Sequence, residues 1–162
     1  MRSVTALLAL LVLVAGPVSA KDALGVFSDW GAFRDPQAPR CYAIAKPASS
    51  RQQRDYDPYA TVGTWPSRNV RGQVHFRVSR NLSPERSITL IINDRRFELT
   101  GGGGDAWARD KAMDAAIVAA MRAGSQMVVS ATDSRGRRFS NTYDLSGAAT
   151  AMDAATVGCA NR

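Results

Sequence analysis

Ser87–Leu99, SITLIINDRRFEL, is the stretch whose reading decides the fold. Two apolar runs flank Asn93 and Asp94, residue types that tolerate the positive φ of a two-residue hairpin loop. A loop at that point fixes the pairing. Leu90 then stands opposite Phe97 and Ile88 opposite Leu99 on one face, with Thr89 opposite Glu98 and Ile91 opposite Arg96 on the other. One face is wholly apolar and the other mostly polar, which predicts an antiparallel pair lying half-buried on a core.

The same reading extends in both directions. Upstream, GQVHFRVS (Gly72–Ser79) alternates Val74, Phe76 and Val78 against Gln73, His75 and Arg77, a period of two that marks a half-buried strand. CYAIAK (Cys41–Lys46) and ATVGTW (Ala60–Trp65) are short strands stopped by Pro47 and Pro66, separated by a polar loop over 48–59. GVFSDWGAFR (Gly25–Arg34) reads as one first strand, closed by the breaker cluster DPQAPR. Downstream, LTGGGGDAW (Leu99–Trp107) has no lysine until Lys111 and carries Asp105, so it is no phosphate cradle and reads as a flexible connector. Asp110 caps a helix, KAMDAAIVAAMRA, with Met113, Ile117, Ala120 and Met121 on one stripe and Gly124 at the C′ position. QMVVSAT and RFSNTYDL pair around DSRGRR, and Ser146 caps a short helix, GAATAMDAAT, that delivers Cys159. With about seven strands to two helices, the expected fold is mainly β. It consists of β-sandwich-like antiparallel sheets with one packed α-helix and a short C-terminal helix.

Residues 1–20 read as an address. Arg2 supplies a positive start, VTALLALLVLVAG an apolar core, and Val18, Ser19 and Ala20 the small residues before a cleavage site at Lys21. Residues 21–162 then form a single domain without a further membrane-spanning stretch, burying roughly 70% of its unfolded surface. Export places Cys41 and Cys159 where disulfides persist. An internal bridge would close a separation of 118 residues, the alternatives being two free thiols or a bridge between chains. Net charge is +7 for the whole chain. The excess is concentrated in residues 61–100, with 7 basic against 3 acidic groups.

Little in the chain points to catalysis. His75 is the only histidine, and its phase puts it on a polar strand face, where it is expected to be exposed. One histidine and two distant cysteines make no metal-ligand set, and no cofactor motif is present. Asp55, Asp57, Asp105 and Asp110 sit in loops with nothing to mark any two as partners. No catalytic residue is assigned. A binding surface is better supported: Arg68, Arg71, Arg77, Arg80, Arg95 and Arg96 give the middle of the chain a positive field that would draw an anionic partner. Export argues against nucleic acid as that partner.

Several segments together, FSDWGAF, RCYAIAKP, SRNVRGQVHFRV, the block from Gly104 to Asp153 and the closing GC, carry a resemblance in order and spacing over roughly residues 25–159. In them the chain resembles the invasion-associated locus B family of exported Gram-negative proteins. The resemblance implies a small secreted or periplasmic β-rich domain, associated in some pathogens with host-cell entry and without a known enzymatic activity. It also implies that Cys41 and Cys159 belong to the family framework. The expectation is therefore an exported, non-enzymatic envelope protein, periplasmic or secreted, that binds an envelope or host macromolecule through a sheet face or loops. The competing class is a periplasmic small-ligand carrier or envelope enzyme with a pocket between sheet and helix, lined by loop aspartates or by Trp65 and Trp107.

Overall fold

The computed structural model describes residues 21–160; the expected signal peptide at 1–20 lies outside them. The hairpin of Ser87–Leu99 forms as β6 (Ile88–Ile92) and β7 (Arg95–Gly102), with the four cross-strand pairs in the expected register. Asn93 takes the positive φ, 52°, that the tight loop requires.

Among the described residues ten strands, all paired antiparallel, make one sheet. The others are β1 (Asp22–Phe27), β2 (Trp30–Asp35), β3 (Arg40–Ala45), β4 (Tyr59–Trp65), β5 (Val70–Arg77), β8 (Asp105–Trp107), β9 (Gln126–Thr132) and β10 (Arg138–Asp144). Their spatial order is β1-β2-β3-β4-β5-β8-β7-β6-β9-β10. Strand β7 is the joint: residues 95–99 pair with β6, while residues 100–102 pair with β8. The sheet folds over at this joint and its two halves face one another. Phe76 of β5 and Tyr143 of β10 place their ring centroids 6.1 Å apart, Trp30 Nε1 donates to the Asp144 carbonyl at 2.9 Å, and Ser79 and Asn141 exchange two hydrogen bonds. The sandwich-like expectation is met by a single continuous sheet, and its inward face supplies one apolar core.

Two of the expected elements change. The first strand is a hairpin, because Ser28, with φ 51°, turns the chain between β1 and β2. The glycine run is no loose connector. Gly101 and Gly102 belong to β7, Gly103 turns with φ 59°, and the chain returns at once as β8. A Cβ at Gly104 would lie 2.5 Å from the Tyr56 ring, so this turn is packed as well as tight.

Helix α1 (Lys111–Ala123) starts as expected, with Asp110 Oδ1 accepting from the Met113 N–H at 2.8 Å. It buries Ile117, Ala120 and Met121 and packs against β5. Asp114 on its first turn accepts from the Val74 N–H at 2.8 Å, and burial pushes its carboxyl above the ordinary range against that bond. Its contribution to stability is therefore complete below the unfolded pKa and is lost as pH rises through the raised value. Gly124 ends α1 in extended backbone, φ −90° and ψ 163°, rather than in the left-handed C′ conformation. Helix α2 (Ala148–Gly158) is capped by Gly147, at φ 82°, and not by Ser146. Any side chain on Gly147 would run into the Phe27 carbonyl.

Helix α2 lies on β1, β2 and β3 through Ala148, Ala151, Met152 and Ala155, facing the small residues Ala32 and Ala43 of the sheet. Small side chains on both sides permit close approach but bury little apolar area per residue. Cys159 at its end is joined to Cys41 of β3. No helix among the described residues is long and apolar enough to cross a membrane.

Candidate functional site

The six arginines of the expected binding surface are divided by the fold. Arg68 and Arg71 are exposed around the start of β5, with Arg71 beside Thr156 and Cys159 at the end of α2. Arg95 and Arg96 are exposed on β7, in the other half of the sheet, with Arg95 lying 5.2 Å over the Phe97 ring. Arg80, expected on the surface, is 5% exposed. Its guanidinium donates to Asp133 Oδ2 at 2.7 Å and to the Gln53 carbonyl at 2.7 Å, so it is a structural tie. Arg77 donates to Asp105 Oδ2 and lies 4.0 Å over the Tyr56 ring, which leaves its charge largely compensated.

His75 departs from expectation in the same region. Its side chain is only 19% exposed, with Nε2 3.0 Å from Asp105 Oδ1 and the ring packed near Tyr59 and Trp107. The cause is β8, absent from the sequence reading, which sets Trp107 beside His75 and Asp105 beside Arg77. Two of the other loop aspartates are spent separately, Asp110 capping α1 and Asp55 accepting from the Asn81 N–H, while Asp57 is exposed. Trp30 and Tyr143 are core residues, and burial pushes the Tyr143 hydroxyl pKa up.

A concave surface lies on the outward face of β7, β6, β9 and β10, a groove of about 550 Å³. Its origin is the alternation first read in the hairpin: once Leu90, Phe97, Val129 and Phe139 turn inward, their neighbours must turn out. Register places Thr89, Ser130 and Ser140 side by side, so a row of hydroxyls crosses three adjacent strands. Ile91 and Thr132 extend the floor, and Gln52 reaches in from the 46–58 loop. Arg96 on β7 and Arg138 on β10 stand on opposite banks, three strand spacings across the sheet and, by the register, four residues along it, which separates their backbones by roughly 20 Å. Arg96 Nη2 donates to Thr89 Oγ1 at 3.1 Å, which draws its guanidinium over the floor. Among the described residues neither arginine has a carboxylate within 4.0 Å, in contrast to Arg34, Arg77, Arg80 and Arg122. A second depression of about 190 Å³ shares Gln52, Arg138 and Phe139 with the groove and adds Arg137.

The site therefore presents two uncompensated guanidinium groups across a hydroxyl-lined floor. That arrangement can hold anions and hydroxyl-rich surfaces; it contains no nucleophile and base in contact. Arg96 was legible from the sequence. Arg138 was missed because its membership of the same face depends on β9 pairing with β6, a long-range contact that no local pattern announces. Among the described residues no group of three or more His, Cys, Asp or Glu is placed to hold a metal ion.

Residues 36–156 match the family model described as invasion associated locus B (IalB) protein. The crystal structure of invasion associated protein B from Bartonella henselae superposes with a TM-score of 0.60 at 16% sequence identity, covering 86% of this chain and 97% of that one. At that identity the likeness concerns the fold. No curated protein matches the chain in sequence.

Proposed function

Because this chain belongs to the invasion associated locus B family, we propose that it acts outside the cytoplasm, in the periplasm or secreted, as a non-enzymatic protein that binds an anionic envelope or host macromolecule. The observation that carries this reading is the pair of uncompensated guanidinium groups, Arg96 and Arg138, on opposite banks of the outward groove. Long-range attraction to the net positive charge of the chain brings an anionic partner in, and the two arginines then fix its position.

The enzyme alternative loses support from the packing of its expected site. The α1–sheet interface is filled by Ile117 and Met121, each at most 1% exposed, and Asp110 and Asp55 are engaged apart from one another. The carrier alternative retains one observation, a cavity of about 240 Å³ walled by Pro36, Pro39, Pro66 and Cys159 beside the disulfide. It is smaller than the roughly 300–1,000 Å³ of sites for drug-sized ligands. The groove is preferred because, among the described residues, two guanidinium groups without a carboxylate within 4.0 Å flank one concave surface there.

Charge reversal tests the reading. Arg96→Glu with Arg138→Glu is expected to lower affinity for an anionic polymer such as polygalacturonate or polyphosphate by at least a hundredfold at low salt. The same exchange at Arg68 and Arg71 is expected to cost less than tenfold. Binding of the wild type falls as salt rises. Equal losses from the two pairs would refute the groove as the site.

A further inference from the structure

The lining of the groove says more about the partner than its charge does, and the following inference rests on the anion-binding reading above. A partner protein is held by apolar or aromatic anchors at the centre of its interface. This floor offers Ile91, 36% exposed, and the hydroxyls of Ser130, Thr132 and Ser140, while Thr89, Ala131 and Phe139 beside them are buried. A membrane surface likewise calls for several apolar side chains that enter it, and of the groove's lining Ile91 alone is an exposed large apolar one. Its floor is a sheet face, and on its one edge strand, β10, the Thr142 carbonyl already accepts from the Ala48 N–H at 2.8 Å.

What the floor does present is a set of short donor–acceptor groups, Ser130 and Ser140 paired about 4.8 Å apart on neighbouring strands and Thr132 next on the same face of β9. Each hydroxyl both donates and accepts. A ligand that matches it is polar along its whole length and carries hydroxyls at similar spacing. It also bears separated acidic groups for Arg96 and Arg138, whose planar guanidinium forks suit carboxylates held bidentately. The continuation past Arg138 and Phe139 toward Arg137 gives the groove length beyond one acidic group.

We infer that the partner chemistry is a linear acidic polysaccharide with carboxylate-bearing sugar units, laid across β6, β9 and β10. Its carboxylates meet Arg96 and Arg138, and its neutral hydroxyls exchange hydrogen bonds with Ser130, Ser140 and Thr132.

Polygalacturonate oligomers of graded length serve as the probe, with polyphosphate of matched charge as the comparison, both titrated calorimetrically into the mature protein. Affinity for the oligomers is expected to rise with length until both arginines are spanned and then level off. Ser130→Ala with Ser140→Ala is expected to weaken oligogalacturonate about tenfold, two modest hydrogen bonds, and to leave polyphosphate within twofold. Circular dichroism confirms that the variant keeps its fold. If the hydroxyl variant binds both polymers as the wild type does, or if polyphosphate is preferred, the polysaccharide inference is overturned while anion binding stands. Should Arg96→Glu with Arg138→Glu leave both polymers bound, the anion-binding reading itself fails.

Discussion

Replacing Cys41 and Cys159 together by alanine is expected to lower the unfolding free energy by roughly 2–5 kcal/mol. The bridge closes a separation of 118 residues, and on the chain-entropy account a loop of that length constrains the unfolded chain by about 5 kcal/mol. The native state has reasons of its own to depend on the link. Helix α2 meets the sheet mainly through alanines, so its docking area is apolar but small, and the bridge fixes its far end to β3. Alanine suits the test because Cys41 is fully buried and Cys159 only 6% exposed, and a serine would bury a hydroxyl instead. Urea unfolding should show a lower midpoint and a steeper slope, since the unfolded chain without its cross-link exposes more surface. A loss below about 0.5 kcal/mol would refute this account. Mass spectrometry of the unreduced, proteolysed protein supplies the independent check: free thiols at both positions would contradict the bridge.

Asp133→Ala is expected to cost about 3–5 kcal/mol, an effect of comparable size with a different cause. Asp133 is 2% exposed, at the turn between β9 and β10. Its Oδ1 accepts from the backbone N–H groups of Arg135 and Arg137 at 3.0 and 2.9 Å, and its Oδ2 from Arg80 and Arg137 side chains at 2.7 and 3.1 Å. Through Arg80 the same carboxylate anchors the Gln53 carbonyl of the 46–58 loop. Removing it leaves the Arg80 charge buried without a carboxylate at hydrogen-bonding distance, the residual contact to Asp55 being 3.5 Å. Most of the cost lies in that stranded charge. Consequently Asp133→Leu combined with Arg80→Met is expected to be more stable than Asp133→Ala alone, despite the second change. Additive losses in the double variant would show that the pair is not coupled. Because Gln52 lies in the loop that Arg80 tethers, Asp133→Ala should also weaken binding in the groove.

The Ser87–Leu99 hairpin was legible to the register, since its loop residues and its two sorted faces are both local signals. Helix α1 was legible for the same reason, with Asp110 capping a periodic apolar stripe. The β1–β2 turn was hidden because Ser28 adopts a positive φ without glycine or asparagine to announce it. Strand β8 was hidden because glycines show no alternation, and three residues, Asp105–Trp107, are too few to establish one. That single omission explains why His75 was read as exposed and Arg77 as free, for β8 supplies both partners. The candidate site divides along the same line. Arg96 followed from the hairpin, whereas Arg138 and the hydroxyl row required β9 and β10 to join it across long sequence separations. Treating Arg80 as a surface charge failed because its partner, Asp133, lies 53 residues away.

The central claim is that an anionic macromolecule is held in the groove between Arg96 and Arg138. A photoreactive amino acid placed at position 91, on the groove floor, tests it most directly when the protein is irradiated in its native envelope. The control carries the same group at position 26, where Val26 is 74% exposed on β1. Carboxylate-rich glycan material is expected to be captured through position 91 and not through position 26, and Arg96→Glu with Arg138→Glu should abolish the capture. Equal capture at both positions, or capture at position 91 undiminished by the charge reversals, would contradict the claim.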